Sequence, residues 1–152
     1  MTLRVYRISQ PAFVDGALSG QGAALHAGRW NSRGIRVAYA APSVALAMLE
    51  MLVHVDKQDV PAGLRLLSFD IPADAVHALD ALPDGWQRLP YSAPVQAAGD
   101  RWVRGAASLA LRVPSAVARH EVNILLNPAH PRFGEIAPVA NEPLALDERL
   151  FG

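Results

Sequence analysis

The chain has 152 residues, 51% of them hydrophobic, with 14 cationic side chains balanced by 14 anionic ones and no cysteine. That length suits one domain, residues 1–152, with a substantial core, and the even charge balance argues against general nucleic-acid binding. The missing cysteines exclude disulfides and thiolate catalysis, no apolar run approaches the roughly 18 residues of a membrane span, and no leader pattern opens the chain; a cytoplasmic protein without membrane contact is expected.

In chain order, Leu3–Ile8 alternates apolar residues with Arg4 and Arg7 and reads as a short strand. Five glycines then punctuate a region of little periodicity. Within it Ala27–Gly34 reads as a tight turn, with Gly34 free to take a positive φ. Gly20-Gln21-Gly22 lacks both the lysine of a phosphate loop and the third glycine of a dinucleotide fold. Arg36–Ala40 is a second strand leading into the helix Pro42–Val55. Pro42 suits its first helical position, good helix formers follow, and apolar residues point in nearly every direction, which predicts a helix buried all round.

Leu64–Ile71 is the strongest strand in the chain and is ended by Pro72. Ala73–Leu79 reads as a short helix, and Pro83–Pro94 as a proline-broken connection. Val95–Ala107 reads as a helix with Trp102 and Val103 inward and Asp100, Arg101 and Arg104 outward. Leu109–Val113, stopped by Pro114, and Val122–Leu126, stopped by Asn127-Pro128, are strands. Ile136 and Val139 mark a weak edge strand, and Leu144–Phe151 packs back as a terminal element. Short strands around a few helices without regular β-α-β alternation indicate a compact single α+β domain.

Several chemistries find no support. The five histidines (His26, His54, His77, His120, His130) lack paired helical spacing, so no metal site is expected. Gly16–Gly20 has the wrong spacing for a nucleophile elbow, and no motif selects a second acid to work beside Glu50. Glu50 itself needs an explanation, because a carboxylate in the middle of an apolar helix is costly without partners. Either it reaches solvent along a polar seam or pairs with an arginine, or it carries function. His54 follows one turn on, on the same predicted face. Residues 1–55 hold five arginines against Asp15 and Glu50, and 13 of the 14 cations are arginine. The planar guanidinium grips phosphate or carboxylate in two-pronged fashion, although a GC-rich genome would produce the same bias.

Arg4-Val5-Tyr6-Arg7, Gly28-Arg29-Trp30-Asn31, Val37-Ala38-Tyr39-Ala40, Ala47-Met48-Leu49-Glu50-Met51-Leu52-Val53-His54, Val113-Pro114-Ser115-Ala116-Val117 and Asn123-Ile124-Leu125-Leu126-Asn127-Pro128, in this order and spacing, resemble the RES-domain family. The likeness runs from about Leu3 to Phe151. The family is named for an arginine, a glutamate and a serine, here Arg29, Glu50 and Ser115.

The resemblance implies a fold like the ADP-ribosyltransferase toxins, with short strands in two sheets. It also implies a toxin of a toxin–antitoxin pair that consumes NAD as substrate, with no resident cofactor, and an Xre-type helix-turn-helix antitoxin as partner. A homodimer within that complex is a further expectation. On this reading Glu50 faces the positive charge that develops on the ribose, Arg29 and Arg7 meet the pyrophosphate, Tyr39 stacks on nicotinamide or closes the pocket, and Ser115 orients Glu50 or substrate. Trp30, His54 and Asn123 are candidate substrate contacts. Each also has a plain structural role open to it: a packed turn anchor, a core histidine and a strand residue bonded to backbone. Water, phosphate or a protein side chain could accept the ADP-ribosyl group, and a non-catalytic nucleotide-binding module is the alternative from another class.

Overall fold

The alternation at the start of the chain becomes β1 (Thr2–Ser9) in the computed structural model, which describes residues 1–152. A short helix α1 (Gln21–Leu25), β2 (Ala38–Ala40) and α2 (Val44–Leu52) follow. Next come β3 (Arg65–Pro72), β4 (Val76–Ala78) and α3 (Ala93–Gly105), then β5 (Ala110–Pro114), β6 (Val122–Leu126) and β7 (Ala137–Pro143). A single helical turn at Glu148–Phe151 closes the chain.

The strands form two sheets, ordered β1-β3-β7 and β2-β6-β5-β4. All pairings are antiparallel except β4 with β5. Between the sheets lies one core cluster: Val5 and Ile71 from the first sheet against Ala38, Ala40, Ala110, Ile124 and Leu126 from the second. The alternate residues of the second sheet, Leu111, Val113 and Leu125, face the other way and pack with Trp30, Val37, Val95, Ala98 and Trp102. The second sheet is therefore covered on both faces, which is why Val122–Leu126 reads as nearly unbroken apolar sequence. Burying each of its large side chains contributes about 1.5–3 kcal/mol. The sheets are stitched at one corner, where Tyr6 and Ala41 exchange backbone hydrogen bonds of 2.7 and 2.9 Å.

That corner seats α2, and here the helix departs from the sequence reading. Its N-cap is Ser43, whose hydroxyl accepts from the Leu46 N–H at 3.1 Å, so Pro42 stands just outside the helix rather than at its first position. Only one side of α2 has a neighbour: Leu46 and Ala47 pack with Tyr6, Ile8 and Ala118. Ala45, Leu49 and Val53 are exposed, the last two 42% and 57%. An all-round apolar sequence does not by itself reveal how many faces the fold will cover.

Two further expectations change. Ala73–Leu79 is a single tight turn (Ala73–Ala75) followed by β4, because β5 offers a parallel partner for Val76–Ala78 that outweighs local helix preference. Asp100, expected outward on α3, is buried and accepts a backbone N–H from Ser32. The remaining strands agree with the expected segments to within a few residues, and Gly34 takes φ +90°. No helix is long and apolar enough to cross a membrane.

Candidate active site

The Glu50 carboxylate, on the inner side of α2, is held through one oxygen by two donors from different elements. Ser115 follows β5, with Pro114 ending that strand. Its hydroxyl oxygen accepts the N–H groups of Val117 (3.1 Å) and Ala118 (3.0 Å), so its single proton is free to go to Glu50 Oε1, 2.7 Å away. Asn123, paired with Val113 across β5 and β6, donates its Nδ2 to the same Oε1 at 2.7 Å. Oε2 accepts no hydrogen bond from the protein. The carboxylate is thus fixed in orientation by two short bonds while one oxygen stays available, which is the condition for acting on charge that develops nearby. Glu50 is half-buried, and no arginine pairs with it.

A second group is built on Tyr39 of β2. Its hydroxyl donates to Asn31 Oδ1 at 2.6 Å and accepts the Trp30 N–H at 3.1 Å. Burial, more than any other influence, pushes the Tyr39 phenol well above its ordinary pKa, so it works as a neutral donor and not as a base. Asn31 is fully buried and fully used: Oδ1 also accepts from Gly28 N (3.0 Å), and Nδ2 reaches the carbonyls of Ala23, Ser32 and Ile35. A Cβ on Gly28 would stand 2.6 Å from the Tyr39 hydroxyl oxygen, so this position requires glycine.

Two arginines flank this framework. Arg7 of β1 donates Nη1 to the Tyr39 carbonyl at 2.7 Å, and its Nε is buried without a partner. Burial lowers the Arg7 pKa, yet a guanidinium stays protonated. Arg29 donates Nη1 to the carbonyls of Trp86 (2.7 Å) and Arg88 (3.0 Å), and its guanidinium lies 4.9 Å from the centre of the Tyr91 ring. Its Nε and Nη2 make no hydrogen bond with the protein. The ion pairs of the chain use Arg4, Arg132 and Arg149; neither Arg7 nor Arg29 has a carboxylate partner. Guanidiniums held by carbonyls but without a carboxylate partner favour an anionic ligand.

The structure brings Glu50, Ser115 and Asn123 together, and links Tyr39 to Arg7 and to the turn that carries Arg29. It does not bring His54: α2 ends at Leu52, the chain turns away, and the imidazole is exposed. Nor is Trp30 a surface for substrate, since it is 2% exposed and packs with Val37, Val95 and Trp102. Asn31, Tyr91, Gln96 and Asp100 escaped sequence reasoning. Asn31 is one polar residue among several in its turn and so did not stand out; the other three act across 60 residues or more and leave no local signal. No group of three His, Asp or Glu side chains converges on a point where a metal could sit.

The model of the RES domain family matches residues 4–147. The chain is 38% identical over 149 residues to "Toxin Res" of Photorhabdus laumondii, covering 96% of each. It is 36% identical over 138 residues to the "Prs ADP-ribosylating toxin" of Sphingobium sp., covering 86% of each. Among solved structures it superposes on a chain of the M. tuberculosis MbcT–MbcA toxin–antitoxin complex. That match has a TM-score of 0.76 at 22% identity, over 99% of this chain and 87% of the other, and shares the fold.

Proposed function

This chain belongs to the RES-domain family, and on that premise we propose that it is the toxin of a toxin–antitoxin pair and that it cleaves NAD at the nicotinamide–ribose bond. The observation that carries the reading is the Glu50 carboxylate, gripped at Oε1 by Ser115 and Asn123 with Oε2 unengaged. When the glycosidic bond breaks, nicotinamide leaves with the bonding electron pair and C1′ of the ribose becomes positive. A fixed carboxylate oxygen at that carbon lowers the barrier because it needs no reorientation as the charge appears. The acceptor, water or inorganic phosphate, then adds to C1′ and loses its proton. Arg7 and Arg29 supply the positive field for the pyrophosphate, and Tyr39, its hydroxyl proton committed to Asn31, holds the turn that carries Arg29.

A second reading, transfer of ADP-ribose to a protein side chain, is favoured by the name of the Sphingobium relative. In either case NAD is substrate, the reaction belongs in the cytoplasm where NAD is abundant, and the chain must be restrained in trans. The MbcT–MbcA likeness supports an antitoxin partner, for which an Xre-type helix-turn-helix protein is our expectation. The deciding experiment incubates purified protein with NAD alone, with phosphate, and with a bacterial lysate, using NAD labelled in the adenylate half. Free nicotinamide with ADP-ribose or its 1″-phosphate supports depletion, and label on a protein band supports transfer. Intact NAD in all three reactions rejects both.

A further inference from the structure

Helix α3 carries Gln96, Gly99 and Asp100 at positions i, i+3 and i+4, hence on one face, and that face meets alternate residues of the Gly28–Ser32 turn. Gln96 Nε2 donates to the Gly28 carbonyl at 3.0 Å. Gly99 lies so close to Trp30 that a Cβ there would overlap the Trp30 carbonyl oxygen. Asp100 Oδ1 accepts the Ser32 N–H at 2.9 Å. Arg29 sits between the first two of these grips.

The Asp100 carboxylate is unusual in its own right. It is 6% exposed, has no arginine or lysine partner, and makes one recorded hydrogen bond. A buried unpaired carboxylate is costly, and a strand or helix residue could have filled the site with apolar volume. Its placement acquires a purpose beneath a turn that presents a cation. On the opposite side Asn31 completes the hold, bonding Gly28, Tyr39 and three carbonyls.

From these contacts we propose that Gln96 and Asp100 are positioning residues: the α3 face sets the register of the Gly28–Ser32 turn and so the place from which Arg29 meets the diphosphate of a bound nucleotide. The proposal rests on the NAD reading for the identity of that nucleotide. It separates two devices in one site, with α3 governing binding through Arg29 while Ser115 and Asn123 govern chemistry through Glu50.

ADP-ribose, which carries the diphosphate but no scissile nicotinamide, is the probe, titrated by calorimetry into wild type and variants. Amide hydrogen exchange at Trp30 and Ser32 reports the turn independently. Gln96→Leu removes one neutral hydrogen bond from a half-buried helix position, and ADP-ribose affinity falls about 3- to 10-fold. Exchange at the two amides accelerates, KM for NAD rises by the same factor, and kcat holds. Gln96→Met keeps the length, loses the donor and repeats the result without adding charge, should the leucine disturb the helix. Asp100→Asn retains an acceptor for the Ser32 N–H and stays near wild-type affinity, whereas Asp100→Leu does not. Unchanged ADP-ribose affinity in both Gln96 variants, or a fall in kcat with constant KM, overturns the proposal. Wild type that binds ADP-ribose yet leaves NAD intact defeats the reaction assigned above while the positioning role stands. Wild type that binds neither defeats both.

Discussion

Replacing Glu50 by glutamine tests the centre of the mechanism, because the structure separates what the side chain holds from what it does. The amide oxygen of Glu50→Gln can occupy the Oε1 position and still accept from Ser115 Oγ and Asn123 Nδ2, both now at 2.7 Å. The amide nitrogen then takes the place of Oε2, which has no protein partner to offend. Two charge-assisted bonds become neutral ones, a loss of about 1 kcal/mol each. Relief of a half-buried charge offsets much of this, so thermal stability changes little. Catalysis loses the negative charge at C1′, and for preorganised groups of this kind that costs about 100- to 1,000-fold in turnover. Nicotinamide release followed by chromatography and a parallel thermal melt give both numbers. Glu50→Ala supplies the contrast, since it strips the buried Ser115 hydroxyl and the half-buried Asn123 amide of their acceptor and destabilises by about 1–3 kcal/mol for the buried one. Turnover within a few-fold of wild type in Glu50→Gln would refute the electrostatic role.

Arg29→Lys keeps the charge but loses the planar fork that bonds the Trp86 and Arg88 carbonyls and lies over Tyr91, so NAD affinity drops several-fold. Arg65→Lys, on β3 and bonded to Asn141, leaves it unchanged, and equal titrations for the two would remove Arg29 from the binding site. Ser115→Ala deletes a fully buried hydroxyl that serves Glu50, Val117 and Ala118 at once; a melt lowered by about 1–3 kcal/mol together with reduced kcat is expected, and full activity would show that Asn123 alone orients the acid. Arginine partners hold the carboxyls of Asp74 and Glu135 below their ordinary values. A depressed folded-state pKa stabilises above the unfolded value and the benefit fades as pH falls, so melting temperature declines below about pH 4. Arg132→Ala, which removes the partner of both, makes that decline shallower, and an identical pH profile would show that the pairs contribute nothing.

The readable parts of this fold were those governed by period and punctuation. β3 stood out because Leu64–Ile71 is apolar, β-rich and stopped by proline, and its neighbours β1 and β7 only needed to pair with it. Glu50 was conspicuous because an acid in an apolar helix breaks the local pattern, and Ser115 because a proline-stopped strand delivers it. What sequence could not supply was long-range partnership. Asp100 reads as an ordinary polar face residue until the Ser32 amide arrives from 68 positions away. His54 follows Glu50 by one turn only if the helix continues, and it ends at Leu52. The apolar girth of α2 predicted full burial, but the corner between the sheets has room to cover one side.

The grip on Glu50 also sets an order of events during synthesis. Its two holders lie 65 and 73 residues downstream, so α2 emerges from the ribosome long before either donor exists. Closing loops of that length is slow relative to forming one helix, and until β6 pairs between β2 and β5 the carboxylate swings freely. A nascent or truncated chain ending before Ser115 therefore carries the acid without the means to aim it. On the proposed mechanism NAD cleavage begins only with the finished fold, which leaves the interval of translation and folding for a restraining partner to be made.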